Sequence, residues 1–265
     1  VGFHHAISLV TDWRTAHPQI LFVLPLAGLF LVWLYRACDM ARDGGTNLVL
    51  ISVRDNAPIR LRTAPLIITA TILTHLCGGS SGREGAALQM GSAISAWIGR
   101  LMRLDDKDER VLKMCGMAAG FSALFGTPLA AAVFAMEVVS VGVMYYAAMF
   151  PCLLASLVAL MTARMLGGRA EAFLVFGIPK LTPLALAQVI ALGLLCALVA
   201  ILFCKVFGVI QRGYARYLPN PYARVVVGAC VVIGATLALG SRDYNGAGMD
   251  IIWEAFTGHA LPPPY

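Results

Sequence analysis

Apolar residues in this chain run in separate stretches, at about 19–35, 64–78, 86–102, 111–125, 128–147, 149–166, 184–210 and 223–240. A straight membrane-crossing helix needs about 20 apolar residues, and only some of these stretches are that long. Several are short, and two are interrupted by Gly, Ser or Pro beside charge. Short, broken apolar segments mark membrane proteins whose half-helices end inside the bilayer and face a binding site. Composition agrees. Hydrophobic residues make up 59% and charged residues 13% of the 265, with a mean hydropathy of +0.79. A soluble domain carries about 25% charged residues, so 20 Lys and Arg with 14 Asp and Glu cannot coat one. A secreted disulfide scaffold, a disordered tail, a nucleic-acid-binding domain and an ordinary cytosolic enzyme are excluded. The prediction is an all-α polytopic protein embedded in a lipid bilayer.

The net charge of +6 comes from Lys and Arg lying between apolar segments, the pattern of cytoplasmic loops. One basic cluster is Arg36, Arg42, Arg54, Arg60 and Arg62; the next is Arg100, Arg103, Lys107, Arg110 and Lys113. With both cytoplasmic, the stretch 64–99 has to cross outward and return in about 36 residues. At its middle stands Gly78-Gly79-Ser80-Ser81-Gly82-Arg83-Glu84-Gly85. An arginine and a glutamate at that depth are expensive and point to function. Residues 167–183 read as a connection and 211–221 as a polar turn. The seven cysteines form no CxxC pair and read as small buried hydrophobes. No metal-ligand set and no cofactor motif is present in the sequence. The start at Val1 and the end in Pro262-Pro263-Pro264-Tyr265 read as a piece of a longer gene product.

Three constellations can carry chemistry. In the run from Gly79 to Gly91 a glycine turn feeds a helix start, whose amides and dipole form an anion site. Glu84 either competes for that site, leaving it when protonated, or caps the helix. In the segment from Gly116 through Gly120 and Gly126-Thr127-Pro128 to Glu137, small residues at helical spacing allow close helix approach. There Pro128 opens a new helix. Glu137 is either a buried, paired carboxylate or a group at the cytoplasmic end of a short helix. In Asp43-Gly44-Gly45-Thr46-Asn47-Leu48-Val49, Thr46 and Asn47 either donate hydrogen bonds to an ion or cap a helix.

The run GSSGREGAALQMG, followed about 30 residues later by GMAAGFSALFGTPLAAAVFAMEV, resembles the CLC family of chloride channels and anion/proton antiporters. The resemblance covers roughly residues 19–258. Asn47-Leu48, Pro58, Ala64-Pro65-Leu66, Thr74-His75-Leu76 and Gly126-Thr127-Pro128 resemble the fluoride-transporting branch. The resemblance implies short, tilted, broken helices in inverted repeats. Residues 1–166 would form the first repeat, 167–183 the connection, and 184–265 the truncated start of the second. It implies fluoride/proton antiport, with Glu84 as the gating and proton-carrying glutamate. Thr46, Asn47, Leu48, Arg83, Gly85 and Ala86 would bind the anion, and Gly116, Gly120, Pro128 and Glu137 would serve structure. The internal proton glutamate of chloride antiporters would fall on Val138. The partners implied are a small inorganic anion, protons, lipid and a second copy of the full-length protein, in a bacterial plasma membrane. Further walls of the anion site would come from a second half that follows this sequence.

Two other readings compete. A chloride channel or chloride/proton antiporter of the same family fits, although the chloride-type G-S-G-I-P is Gly45-Thr46-Asn47-Leu48-Val49 here. An intramembrane serine protease matches Gly79-Ser80-Ser81-Gly82, but it needs a histidine on another helix, and Arg83-Glu84 has no use in it.

Overall fold

A computed structural model of the chain describes residues 1–40, 44–139, 144–168 and 182–257. Arg42 and Asp43, residues 169–181 of the expected connection, and the chain from 258 onward lie outside the described residues. All regular structure among the described residues is helical. In order come α1 (Gly2–Ala16), α2 (Leu24–Ala37), α3 (Thr46–Asp55), α4 (Thr63–Leu76), α5 (Glu84–Leu101) and α6 (Asp106–Phe125). They are followed by α7 (Pro128–Glu137), α8 (Met149–Met165), α9 (Pro183–Tyr217), α10 (Pro221–Leu239) and α11 (Met249–Thr257). Short 3-10 turns at Pro18–Val23 and Tyr146–Ala148 lead into α2 and α8.

Local chemistry explains the boundaries. Proline stands in the first turn of α2, α7, α9 and α10, where its missing N–H costs nothing. Asp105, Thr182 and Asn220 cap α6, α9 and α10, accepting from the amides of Asp108, Ala185 and Tyr222. Gly126, at φ +71, ends α6 in the left-handed region and hands the chain to Pro128.

The core lies where α5 and α6 cross, with α3, α7 and α8 packed around them: Val49, Val53, Leu88, Met114, Met117, Ala132 and Cys152 are buried there. Gly91 and Gly116 stand at that crossing. A Cβ on either would overlap the other's carbonyl, and one on Gly120 would lie 2.7 Å from the Ala87 carbonyl oxygen. Such backbone-to-backbone approach is what small residues permit in membrane helices. Hydroxyls tie the neighbours: Ser122 donates to the Ser156 carbonyl at 2.7 Å, and Ser156 to that of Pro128 at 2.9 Å. A smaller cluster of Leu24, Ala27, Cys77 and Ala229 joins α2 to α10.

Among the described residues four helical segments are long and apolar enough to cross a membrane: Pro18–Ala37, Tyr146–Met165, Pro183–Tyr217 and Pro221–Leu239. α4 and α7, at 14 and 10 residues, are shorter apolar helices.

The structure departs from the sequence reading in four places. α1 occupies a segment with no apolar run, because it is amphipathic and buries only Ile7. α9 runs through the expected polar turn as far as Tyr217; Arg212 and Arg216 are good helix formers, and the break waits for Pro219 and Pro221. Cys196, Cys204 and Cys230 are exposed, since no other described part of the chain covers their sides of α9 and α10. Lys113, read as a cytoplasmic loop cation, is fully buried in α6. Its ammonium pairs with Glu109 Oε1 at 3.0 Å and donates to Asn56 Oδ1 at 3.0 Å, clamping α6 to the end of α3.

Candidate functional site

The glycine turn after α4 is built by its own backbone. Gly78, at φ +78, donates to the His75 carbonyl at 3.2 Å, and Gly79 to that of Thr74 at 2.9 Å. This is the Schellman closure, with glycine at the left-handed position. Gly79 also lies so close to the preceding turn that a Cβ would sit 2.7 Å from Thr74 Cγ2. The serines that follow are committed to backbone carbonyls: Ser80 Oγ donates to Tyr244 O at 2.8 Å and Ser81 Oγ to Gly82 O at 3.4 Å. Neither has a histidine partner among the described residues, so the protease reading finds no nucleophile–base pair there.

α5 then starts at Glu84, with Arg83 at the N-cap position. Arginine has no acceptor, so it cannot cap the first-turn amides. Glu84 therefore enters the positive end of the helix dipole as its first residue. Its carboxylate folds back over Gly82: a Cβ there would lie 2.6 Å from Glu84 Oε2.

α3 begins in the same neighbourhood. Gly45 is its N-cap at φ +61, with Thr46 and Asn47 the first two helical residues, so neither Thr46 nor Asn47 caps it. Thr46 Oγ1 lies 2.7 Å from the position a Gly85 Cβ would occupy. Two helix starts thus meet at Thr46 and Gly85. Asn47 is exposed, Leu48 half-buried and Ala86 buried. A cavity of about 660 Å³ opens beside the meeting, lined by Gly45, Gly79, Ser80 and Gln89, by Tyr35 at the end of α2, and by Val225 and Ala229 of α10. Gln89 was not singled out from the sequence. It is buried, its Oε1 has no hydrogen-bond partner among the described residues, and it lines this cavity. Its place in the G-R-E-G-x-x-x-Q-M-G run was the available signal.

Arg83 does not line this cavity. It is buried, and its Nη1 lies 3.3 Å from His4 Nδ1 in a second, polar cavity with Arg14 and His75. Glu137 is exposed at the last position of α7, the helix-end alternative of the two readings. Gly116 and Gly120 stand at the α5–α6 crossing, and Pro128 opens α7.

The family model described as "Voltage gated chloride channel" matches residues 27–264. A protein of Pseudomonas syringae pv. tomato named a chloride/fluoride channel protein is 34% identical over 240 residues, covering 90% of this chain and 53% of the relative. The H(+)/Cl(-) exchange transporter ClcA of Vibrio parahaemolyticus is 26% identical over 280 residues, 97% of this chain and 59% of its own length. The crystal structure of a CLC-type fluoride/proton antiporter matches with a TM-score of 0.93 at 32% identity, covering 98% of this chain and 66% of that one. A slow cyanobacterial Cl-/H+ antiporter shares the fold at a TM-score of 0.79 and 20% identity, over 98% and 64% of the two chains. The chain spans a little over half the length of these curated relatives.

Proposed function

The chain belongs to the voltage-gated chloride channel family, and from that premise we propose that the full-length protein exchanges fluoride for protons, with Glu84 as the coupling carboxylate. One observation carries the reading: two helix starts meet at Thr46 and Gly85, and a carboxylate occupies the first position of one of them. First-turn amides and the helix dipole favour a small anion. The Thr46 hydroxyl and the Gln89 amide add hydrogen-bond donors. The Glu84 carboxylate sits in the same field and competes with the anion. A proton neutralises it and removes its hold, so anion passage is tied to proton passage. Fluoride is more basic than chloride and gains more from such donors. Val138, where the resemblance puts a second proton-carrying glutamate, is apolar and packs against the core, so in this reading Glu84 serves the proton without it.

The names of the Pseudomonas relative and of the antiporter structure support fluoride; the name of the Vibrio relative supports chloride as the second reading. We assign the protein to a bacterial plasma membrane, as a homodimer that uses the outward side of α8, where Phe150 and Met161 are 70% and 62% exposed. The test is efflux from liposomes carrying the full-length protein, with a fluoride electrode and simultaneous pH recording. Fluoride efflux should drive protons inward, and Glu84→Gln should abolish proton movement. Proton pumping by Glu84→Gln overturns the role of Glu84. Chloride moving as fast as fluoride overturns the selectivity.

A further inference from the structure

The second cavity, of about 220 Å³, lies between α1, the end of α4, the turn at Arg83 and the loop entering α11. At about 30 Å³ of liquid volume per water, it has room for about seven waters, or for one small anion with part of its hydration shell. His75 forms part of its wall and is 1% exposed. The ring's Nδ1 lies 2.8 Å from the Thr71 carbonyl. A carbonyl only accepts, so the proton is on Nδ1 and Nε2 presents a lone pair. That Nε2 is buried with no hydrogen-bond partner among the described residues. Buried polar atoms are normally satisfied, so this one points to an occupant.

The charges around it narrow the choice. From α1 come His4, Arg14 and the exposed Asp12; from the turn comes Arg83, next to Glu84. Asn245 contributes the polar group of the loop, and no charged residue of α2 lines the cavity. Arg14 Nη1 donates to the His75 carbonyl at 3.3 Å and also lies against Gly246, where a Cβ would sit 2.6 Å away. The loop is held in place by the Ser80 hydroxyl on Tyr244 O and by the Ser81 amide on Gly246 O at 3.2 Å. Two arginines therefore line the same cavity as a buried imidazole with an open lone pair. A proton on Nε2 would stand beside like charge, and an anion in the cavity would stand beside three cations. Each makes room for the other, and linkage makes that help reciprocal.

We propose that this cavity is a second ion station, distinct from the Thr46–Gly85 meeting, which takes up a small inorganic anion together with a proton on His75 Nε2. The proton comes from hydronium or from the conjugate acid of the anion. The O–H or F–H bond breaks as Nε2–H forms, and the net charge of the cavity is unchanged. For fluoride this amounts to holding HF as its two ions. The station does not depend on Glu84 being the coupling group or on the selectivity of transport.

The test is calorimetric titration of sodium fluoride into the detergent-purified full-length protein at pH 6. Two buffers of different ionisation heat report the protons taken up per anion. Glu84→Gln removes the carboxylate of the Thr46–Gly85 site, which could otherwise supply the signal. In that background about one proton should still enter with a fluoride, and adding His75→Gln should abolish it. Arg14→Gln, which leaves the imidazole intact, should weaken the proton-linked binding about tenfold, and this keeps the test decisive if the His75 variant folds poorly. Absence of linked proton uptake in Glu84→Gln overturns the station. Uptake unchanged by both further variants overturns it too. Neither outcome touches the vesicle test of Glu84, so the two proposals fail separately.

Discussion

Gly82 and Gly85 flank Glu84, and each lacks a side chain for its own reason. At Gly82 the space is taken by the Glu84 carboxylate, and at Gly85 by the Thr46 hydroxyl. Gly82→Ala would push the carboxylate out of its rotamer at about 0.5–1.5 kcal/mol. On the proposed fluoride reading, the expected result is a two- to tenfold change in apparent fluoride affinity with a melting temperature lowered by only a few degrees, read by titration calorimetry and melting in micelles. Gly85→Ala acts on α3 instead. It should weaken fluoride binding and lower the melting temperature together, and Thr46→Ala in the same chain should restore the melting temperature without restoring affinity. Lys113 shows the limit of reading residues singly. Its position among other cations suggested a loop, whereas its burial rests on Glu109 and Asn56 lying within reach, which spacing cannot reveal for Asn56. Lys113→Met should destabilise the fold by about 3 kcal/mol, because removing one partner of a buried pair leaves the other uncompensated.

Among the helices, position in the fold decides what a glycine is worth. Gly116→Ala inserts a methyl into the backbone of α5 and should cost about 2 kcal/mol or more, as overpacking does. Gly193→Ala on α9 meets nothing within 4 Å and should be neutral or stabilising by up to about 1 kcal/mol, the gain in helix propensity. Unfolding of the two variants in the same detergent checks the contrast. The elements legible in advance were those with a long apolar run or a strong breaker: the helices around Gly126-Thr127-Pro128 and the turn into Glu84. α1 was not legible, because its segment carries no apolar run and buries only Ile7. Neither was the juxtaposition of His4, Arg14, His75 and Arg83, since it joins residues up to 79 positions apart. The meeting of Thr46 with Gly85 was reached only through the family resemblance.

For the molecule as a whole, the connection after α2 shows how the exposed ends are held. Asp39 adopts a left-handed conformation at φ +56 and pairs with Arg60 at 2.6 Å. The hydrogen bond and charge of Arg60 hold its carboxyl below the ordinary carboxylate value near 3.8. A lowered carboxylate contributes stability that is present above the unfolded value and lost as pH falls through the folded one. Both side chains are largely exposed, so the contribution is small. The melting temperatures of wild type and Asp39→Asn should differ slightly at pH 6 and converge as pH falls through the lowered folded value.

The α5–α6 crossing also sets a clock. With Gly91 and Gly116 in backbone contact, α5 is seated directly against α6 at the crossing. Glu84 is the first residue of that helix. On the coupling role proposed above for Glu84, its site is freed by rotation about the bonds of one side chain, which takes picoseconds to nanoseconds in an open site, whereas helix displacements take microseconds to milliseconds. The delay in each cycle would then be the wait for a proton, with no rearrangement of helices to follow.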